Sequence, residues 1–381
     1  MLNEEQQMLK DMASEWVRDR LPVTALRSLY GHDGGGRPDA EGYDPEAWAE
    51  MAQMGWAGIL VPEAHGGSDF GYRSMGLVLE ELGRTLGASP LLSSALVAAS
   101  ALRLGGTEAQ QARWLASIAD GSAIGTLAAE EGAQHGREKI ALAATALEDG
   151  WALNGVKRPV QDGVIATFAV VAARTGGAPG DREGITLFLV EAEAPGLSRD
   201  ALDQIDARRP ALFTFDNVAV GADAVLGEVG KGADLLDALF DRAAIGLAAE
   251  MLGNASQAFD TTLDYLKTRV QFGAIIGSFQ ALQHRAAEMF GELQLARSAV
   301  EAALDAIDVN DPALPAFASL AKATMGETLH GISSQMVQLH GGIGMTHEHD
   351  AGLYLKRARV AAQCYGSTAW HRERWARLNG Y

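Results

Sequence analysis

The sequence predicts a mostly α-helical protein with a central β domain, an α+β arrangement of three domains. Apolar residues recur at three- and four-residue spacing through the first third of the chain, which is the period of an amphipathic helix. Near Gly121 short runs rich in Val, Ile, Thr and Phe replace this spacing, and long helical runs return at about residue 230. We therefore predict an N-terminal α-helical domain (1–120), a middle antiparallel β sandwich or barrel (121–228) and a C-terminal four-helix bundle (229–381).

Five segments of the N-terminal third carry a helical pattern. In the first of them Leu9, Met12, Ala13 and Trp16 fall on one face. The predicted helices cover 3–19, the stretch through Trp48, Met51 and Met54, 74–86, 90–104 and 107–119. Residues 31–43 are rich in glycine, so we expect a surface connection there.

The middle segment reads as short strands separated by turn residues. The dipeptides Asp149-Gly150 and Asn154-Gly155 are typical of tight hairpin turns. The candidate strands are 124–129, 137–146, 151–154, 167–174, 185–191 and 211–218. Short strands with frequent turns favour a small antiparallel sandwich or barrel.

The C-terminal segment is predicted to form long helices joined by short connections. Asp350 fits the N-cap of one of them, since a carboxylate accepts hydrogen bonds from the first free N–H groups of a helix. The predicted helices cover 232–268, 278–307, 312–339, 350–362 and 366–378. Long helices with short links favour an antiparallel bundle.

Composition excludes several classes of function. The formal net charge of −18 argues against binding to nucleic acid or to an anionic membrane, because both require a basic face. The single cysteine, Cys364, allows no intrachain disulfide and suits a reducing compartment. The N-terminus lacks the basic start and apolar core of a signal peptide, and no run of about 18 apolar residues indicates a membrane span. We predict a cytoplasmic protein.

The most informative stretch is residues 268–289, TRVQFGAIIGSFQALQHRAAEM, which follows a long helical run. Arg269 can bind a phosphate in bidentate fashion, and Gln271 and Phe272 follow it before Gly273 interrupts the helix. A second amphipathic helix begins near Ser278. A cation, an amide and an aromatic ring at a helix break can hold the pyrophosphate and adenosine of a nucleotide.

This R-x-Q-F-G…I-x-x-F-Q pattern closely resembles the acyl-CoA dehydrogenases, which are FAD-dependent flavoproteins. Residues 338–346, QLHGGIGMT, resemble the family's Q-x-x-G-G-x-G-[FY] loop, and Tyr365-Gly366-Ser367-Thr368 stands where the family has Y-E-G-T. The resemblance implies that one subunit reaches the FAD of its neighbour through these blocks. The cofactor-binding residues that it implies are Arg269, Gln271, Phe272, Ile276, Phe279, Gln338, Gly342 and Thr368.

The resemblance also implies a reaction and its partners. The substrate is expected to be an acyl-CoA thioester, the oxidant an electron-transfer flavoprotein, and the assembly a homo- or heterotetramer. A carboxylate removes the α-proton of the thioester and the flavin accepts hydride from the β-carbon.

The catalytic carboxylate of the family has no counterpart at either of its usual positions. The glutamate of Y-E-G-T is Gly366 here, and the alternative position, on the helix before Arg269, is Ala243. The nearest acid is Asp241, which lies roughly 200° around that helix from Ala243. Asp241 is therefore our only candidate catalytic residue, and the competing interpretation is a surface acid that is solvated or paired with Arg242 or Arg285.

The segments that face the flavin in the family also differ. The family's T-E-P…G-S-D corresponds to Ala129-Glu130-Glu131…His135-Gly136-Arg137, and its K-x-W-I-T corresponds to residues 157–161, KRPVQ. The hydroxyl groups and the indole expected beside the isoalloxazine ring are therefore absent.

Two other candidate sites carry little weight. We predict no metal site, because the consecutive side chains of residues 347–350, HEHD, do not readily converge on one ion. Cys364 lies next to the missing base, yet an inert buried cysteine is the expected role.

Four hypotheses follow. The first is a subunit of a heteromeric acyl-CoA dehydrogenase that lacks its own catalytic glutamate, resembling the base-less subunits of bacterial enzymes that act on steroid side chains or dicarboxylates. The second is a self-sufficient homotetramer that uses Asp241 or another acid. The third is a non-enzymatic flavin-binding or regulatory protein, and a flavin monooxygenase of related fold is a further alternative.

Overall fold

The computed structural model describes residues 2–30, 41–132, 135, 136 and 139–381. Most of the predicted 31–43 connection lies outside these residues, and so does Arg137 at the start of the predicted 137–146 strand. Residue contacts divide the chain into two groups. We call them the helical unit (1–28, 76–87 and 244–381) and the sheet unit (29–75 and 88–243). The predicted boundaries of the three domains stay a prediction.

The predicted helices are present in both halves of the chain, with ends shifted by a few residues. The N-terminal ones are α1 Glu4–Arg20, α2 Val23–Leu29, α3 Pro45–Gln53, α4 Gly71–Arg84, α5 Ala99–Gly105 and α6 Glu108–Ala119. The C-terminal ones are α7 Ala233–Thr268, α8 Gln280–Asp308, α9 Leu314–His340, α10 Ala351–Ala361 and α11 Thr368–Leu378. Helix α2 was not predicted, and the first part of the predicted 90–104 helix is a π-helix, Leu91–Ala98.

The sheet unit contains one eight-stranded sheet. Its strands are β1 Gly125–Ala128, β2 Ala143–Leu147, β3 Gly150–Val160, β4 Phe168–Arg174, β5 Ile185–Glu191, β6 Leu197–Ala201, β7 Ala211–Val220 and β8 Val225–Leu226. The strand order is β6-β7-β3-β2-β4-β5-β8, with β1 added on β4. Strands β1 and β2 both pair with β4 in parallel, so the sheet is mixed and the prediction of a wholly antiparallel arrangement was wrong. The core contains Phe188, Phe213 and Phe215.

Strand β3 is longer than predicted, because its irregular pairing with β7 accommodates a glycine and a proline, which usually interrupt strands. The pairing of β3 with β7 shifts between Leu153 and Gly155 and again between Lys157 and Val160. Gly155 and Pro159 therefore lie within a continuous strand at irregular positions of the ladder. The short strands β6 and β8 were missed because their sequences lack an alternating apolar pattern.

The helical unit is built around α9, which packs against α8, α10 and α11. Helices α4 and α7 approach so closely that only glycine fits at their contact. A Cβ atom at Gly83 would lie 1.9 Å from the carbonyl oxygen of Glu250, and one at Gly253 would lie 1.7 Å from that of Glu80. The side chain of Glu250 forms a buried ion pair with Arg357, with an N···O distance of 2.8 Å. In the described part of the chain no helix is both long and apolar enough to span a bilayer.

Helix α10 begins where predicted, yet its cap differs from the prediction. Asp350 occupies the N-cap position but its side chain makes no capping bond. Its carboxylate instead accepts a hydrogen bond of 3.0 Å from Nε of Arg27, a charge-assisted bond that is stronger than one to a neutral backbone N–H. The N–H of Ala351 donates to Nδ1 of His349 at 3.1 Å.

Candidate active site

A short hairpin follows α7, and we call residues 269–276 the hairpin arm. Strands β9 Val270–Gln271 and β10 Ala274–Ile275 pair antiparallel, and the N–H of Ile276 donates to the carbonyl oxygen of Arg269 at 2.8 Å. Phe272 and Gly273 form the two-residue turn, and both have positive φ, 53° and 75°. Two positive φ angles are typical of the hairpin turn that matches strand twist, although they favour glycine or asparagine over phenylalanine. The turn leaves the Phe272 ring 93% exposed.

The polar residues of the hairpin arm are also exposed. Arg269 lies at the surface, and within the described residues its guanidinium has no ion-pair partner. Across the residues that the structure describes, the amide of Gln271 donates only to the carbonyl oxygen of the adjacent Val270, at 2.9 Å. An exposed cation, amide and phenyl ring therefore stand together, as the sequence predicted, with hydrogen-bonding capacity left for a ligand.

Ile276 ends the hairpin arm, and Phe279 lies just beyond it in the chain. Ile276 is 9% exposed, so it offers little surface to a ligand. The rings of Phe272 and Phe279 meet edge to face with centroids 6.3 Å apart, and Phe279 keeps 37% of its surface exposed. Direct cofactor contact by these two residues stays a prediction.

The second predicted block forms a turn directly after α9, residues 341–345, which we call the glycine loop. Gly341 has φ of 64° and ψ of −138°, and its N–H donates to the carbonyl oxygen of Gln338. No heavy atom lies within 4 Å of a Cβ built on Gly341 or Gly342, so the backbone faces open space. Gln338 is exposed beside it. A glycine backbone without side chains allows a ligand to approach closely.

Two residues that the sequence analysis missed join the hairpin arm to the glycine loop. Tyr265 lies one helical turn before Arg269, and its ring stacks on that of His340, with centroids 4.3 Å apart. The hydroxyl of Tyr265 also donates to the carbonyl oxygen of His340 at 3.3 Å. Because His340 immediately precedes Gly341, the structure brings the two predicted halves of the cofactor surface together.

The loop at the family's usual base position leaves no room for a side chain. Gly366 is buried and has φ of 103°, which L-residues rarely adopt. A Cβ atom there would lie 2.9 Å from Cε3 of Trp370. The preceding residue, Tyr365, also has positive φ, and Nε2 of His371 donates to its carbonyl oxygen at 2.8 Å. The absence of a carboxylate is thus built into the backbone of this loop.

A buried lysine forms hydrogen bonds with the backbone of the loop around Gly366. The side chain of Lys322, on α9, is fully buried and its ammonium donates to the carbonyl oxygens of Ala361 and Gly366, each at 3.0 Å. Burial lowers the pKa of Lys322 to about 8, although neighbouring Cys364 opposes this shift. Cys364 itself is half-buried.

Thr368 begins α11 and lies against α9. A Cβ atom built on Gly326 of α9 would lie 2.2 Å from the hydroxyl oxygen of Thr368, so this side chain points at α9. Thr368 is half-buried. The N-cap of α11 is Ser367, whose hydroxyl accepts from the N–H of Trp370 at 3.2 Å. A contact between Thr368 and the adenine stays a prediction.

The candidate catalytic acid lies in the sheet unit on the first part of α7. Asp241 is only 3% exposed, so the competing interpretation as a surface acid was wrong about its burial. Burial arises because this part of α7 is apolar on more than one face, with Ala243 fully buried as well. The neighbouring Arg242 donates to the hydroxyl of Tyr72 at 3.2 Å. A catalytic role for Asp241 stays a prediction.

Glu131 replaces the proline of the family's T-E-P, and its carboxylate forms an ion pair within the sheet unit. Lys157 is fully buried, and its ammonium lies 2.6 Å from the carboxylate of Glu131. That carboxylate also accepts from the backbone N–H groups of Ala141 and Leu142, each at 2.9 Å. His135 pairs with Glu130. These side chains stabilise the strands around them and leave no hydroxyl or indole at the corresponding positions.

The predicted absence of a metal site stays a prediction. Among the described residues no group of three or more histidine, cysteine and acidic side chains is arranged to hold a metal ion. In the 347–350 stretch, Arg27 donates to the carbonyl oxygen of His347 and pairs with Asp350.

Comparison with known proteins decides the family. Models of the acyl-CoA dehydrogenase N-terminal, middle and C-terminal domains match residues 3–122, 125–218 and 230–378. The acyl-CoA dehydrogenase IpdE2 of Mycolicibacterium smegmatis is 32% identical over 369 residues, which cover 96% of each chain. The chain belongs to the acyl-CoA dehydrogenase family.

Solved structures of acyl-CoA dehydrogenases share the fold over the whole chain. Butyryl-CoA dehydrogenase from Megasphaera elsdenii matches with a TM-score of 0.91 and 26% identity, covering 100% of this chain and 99% of that one. A chain of the ChsE4–ChsE5 complex from Mycobacterium tuberculosis matches with a TM-score of 0.88 and 26% identity, with the same coverage. The predicted family, its mostly α fold with a central β domain and its class, FAD-dependent oxidoreductases, are thereby confirmed.

The surface residues fit one end of FAD better than the other. The exposed guanidinium of Arg269, the exposed ring of Phe272 and the open backbone at Gly341 and Gly342 suit the pyrophosphate and adenosine. In the segments that correspond to the family's flavin-facing residues, Pro159 and Gln161 replace the tryptophan and threonine of K-x-W-I-T, and Glu131 forms an ion pair with Lys157.

Proposed function

We propose that this chain is a subunit of a heteromeric acyl-CoA dehydrogenase in which a different subunit supplies the catalytic carboxylate. One observation carries the proposal: the loop around Gly366 excludes a side chain, while the hairpin arm and the glycine loop remain exposed and complete. The two-chain composition of the similar ChsE4–ChsE5 complex supports it. The hairpin arm and the glycine loop of this chain then contact an FAD that lies at the interface with the partner.

The proposed reaction is the α,β-dehydrogenation of an acyl-CoA thioester. When bound, FAD supplies the hydride acceptor for the β-carbon of the substrate. The role of this chain is to hold the cofactor: Arg269 binds the phosphates, and the side-chain-free backbone of Gly341 and Gly342 allows them to approach. A carboxylate of the partner takes the α-proton, and an electron-transfer flavoprotein reoxidises the complex.

Purification of the chain alone and with candidate partner subunits tests the proposal. We expect a complex of two different chains to be yellow and to reduce a dye with acyl-CoA, whereas this chain alone contains little flavin and gives no turnover. Native mass and flavin absorbance per chain provide the stoichiometry. Stoichiometric FAD and rapid acyl-CoA turnover by the isolated chain would contradict the proposal.

A variant and its matched control test whether the hairpin arm of this chain binds FAD within the complex. Arg269→Ala should weaken FAD binding by about tenfold or more, because a charged hydrogen bond contributes roughly 1.5–3 kcal/mol. Lys267→Ala is the matched control, since Lys267 is a nearby exposed cation whose partner is Asp264. Equal flavin affinities for the two variants would remove the hairpin arm from the cofactor site.

The burial of Asp241 supports a second candidate, a homotetramer that uses its own acid. Asp241→Asn distinguishes the two, since it keeps the size of the side chain and removes its basicity. In the self-sufficient enzyme this variant keeps its flavin but loses α-proton abstraction, by at least about a hundredfold. In the heteromer it leaves turnover near that of the unaltered complex.

A further inference from the structure

Three aromatic rings lie in contact next to the exposed glycine loop, the first pair stacked and the second tilted by 46°. His340 lies between Tyr265 and His349, with ring centroids 4.3 Å and 4.2 Å away. His340 is 3% exposed. We call these three residues the ring stack.

The hydrogen bonds of the ring stack fix the protonation of its two histidines. Nδ1 of His340 lies 2.7 Å from the carbonyl oxygen of Met336, which only accepts, so Nδ1 carries the proton. Nε2 of His340 is buried and has no hydrogen-bond partner among the described residues, so no acceptor there stabilises a second proton and the neutral ring is favoured. Nδ1 of His349 accepts from the N–H of Ala351, so its proton is on Nε2. Both rings are neutral in this arrangement.

The ring stack connects the two halves of the proposed cofactor surface. The N–H of Arg269 donates to the carbonyl oxygen of Tyr265 at 2.9 Å, so Tyr265 belongs to the last turn before the hairpin arm. At the other end, His340 is followed directly by Gly341. Glycine backbones without packed side chains have large conformational freedom, so the position of the glycine loop depends on the residues that flank it.

We propose that His340 is a positioning residue that holds the glycine loop in register with the hairpin arm, so that both contact one dinucleotide. This inference rests on the proposed function and deepens it. His340 itself contacts no cofactor in this account, because its ring is enclosed by Tyr265 and His349.

Protonation provides a readout that a passive packing residue would not give. Burial lowers the pKa of His340, an effect that the Met336 carbonyl opposes and His349 reinforces. Tyr265 and His349 are the titratable groups that face the ring, and Asp350 and Arg27 act on His349. The lowered pKa keeps the His340 ring neutral in the folded protein at and above the ordinary imidazole value of about 6.5. We expect FAD affinity to be constant in that range and to fall only below it, as pH drops through the lowered pKa and the ring gains a proton.

The experiment measures the dissociation constant of FAD between pH 5 and pH 8 for the protein together with any partner subunit that copurifies. His340→Ala should weaken FAD binding by about tenfold at pH 8, since it removes two ring contacts and a hydrogen bond. His340→Phe keeps the ring contacts, so it should retain affinity within about threefold at pH 8 and lose much of the decline below pH 6.5. His330→Ala is the matched control, because His330 is an exposed histidine on the same helix.

The outcomes separate this inference from the proposed function. If Arg269→Ala weakens FAD binding and His340→Ala behaves as His330→Ala does, the positioning role is wrong and the cofactor surface stands. If Arg269→Ala also has no effect, the proposed function fails with it. An unchanged pH profile in His340→Phe likewise contradicts the positioning role, and circular dichroism of each variant confirms that it is folded.

Discussion

The buried ammonium of Lys322 donates a hydrogen bond of 3.0 Å to the carbonyl oxygen of Gly366, across 44 residues of sequence. The same ammonium binds the carbonyl oxygen of Ala361, so one side chain fixes both ends of the loop where the family has its usual base. The conformation that excludes a carboxylate therefore depends on a charged group without access to water.

We predict that Lys322→Met removes a part of the pH dependence of stability. Burial lowers the pKa of Lys322 to about 8, so between pH 8 and the ordinary lysine value of 10.5 the unfolded chain binds more protons than the folded one. The free energy of unfolding should rise with pH in this window. Between pH 8 and pH 10 the rise should be smaller in Lys322→Met by about 2 kcal/mol.

Urea unfolding at several pH values measures this difference. Lys267→Met, at a side chain that is 69% exposed, should follow the unaltered protein. A Lys322→Met variant with the same pH dependence as that control would show that Lys322 does not titrate in this range.

Restoring the family's residue at the base position should not restore a base. A Cβ atom on Gly366 would lie 2.6 Å from Nε2 of His371, and the positive φ adds strain of about 1–3 kcal/mol. We expect Gly366→Glu to lower the free energy of unfolding by at least that amount and to give no acyl-CoA turnover in the isolated chain. Gly352→Ala is the control, because nothing lies within 4 Å of a Cβ at that position in α10. Turnover gained by Gly366→Glu alone would show that the loop rearranges readily.

The turn of the hairpin arm stores strain that a substitution can release. Phe272 has φ of 53°, a conformation that asparagine adopts more easily than phenylalanine or alanine. Phe272→Asn and Phe272→Ala both lose the exposed ring, so both should weaken FAD binding or subunit association. Only Phe272→Asn relieves the backbone strain of the positive φ. Its free energy of unfolding should therefore be higher than that of Phe272→Ala by about 0.5–1 kcal/mol. Equal stability of the pair in urea unfolding would argue against strain at this turn.

The parts of the fold that could be predicted are those with a local pattern. The long helices α7, α8 and α9 repeat apolar residues over many turns, and their bounds agree closely with the prediction. The second half of β3 could not be predicted, because Gly155 and Pro159 usually end strands and only the partner strand β7 accommodates them.

The residues of the candidate site also fall into those that a local motif reveals and those that it does not. Arg269 and Phe272 are recognisable because they stand in a contiguous motif at a helix break. His340 and Lys322 carry no such signal, since a lone histidine or lysine within a helix has many ordinary roles. Their roles depend on partners far along the chain: the Tyr265–His340 bond spans 75 residues. Such contacts follow from tertiary packing, which local periodicity does not report.

Glu131, the acid at an altered flavin-facing position, should prove structural rather than catalytic. The ammonium of Lys157 is fully buried, 2.6 Å from the Glu131 carboxylate and 3.1 Å from the carbonyl oxygen of Ala129. Glu131→Gln leaves that buried charge without a counter-ion, so we expect the free energy of unfolding to fall by about 3–5 kcal/mol. The double variant Glu131→Gln with Lys157→Met removes both charges and should recover more than half of the loss, because a neutral pair needs no compensation.

An exposed ion pair provides the control for the Glu131 and Lys157 variants. The side chain of Glu193 is 93% exposed in its pair with Arg199, so Glu193→Gln should change stability by less than about 0.5 kcal/mol. If Glu131→Gln instead abolished turnover of the assembled enzyme while unfolding at the same urea concentration as the unaltered protein, Glu131 would act in the chemistry. The altered positions would then belong to a working active site of this chain, because a residue that only stabilises strands cannot affect the rate without affecting the fold.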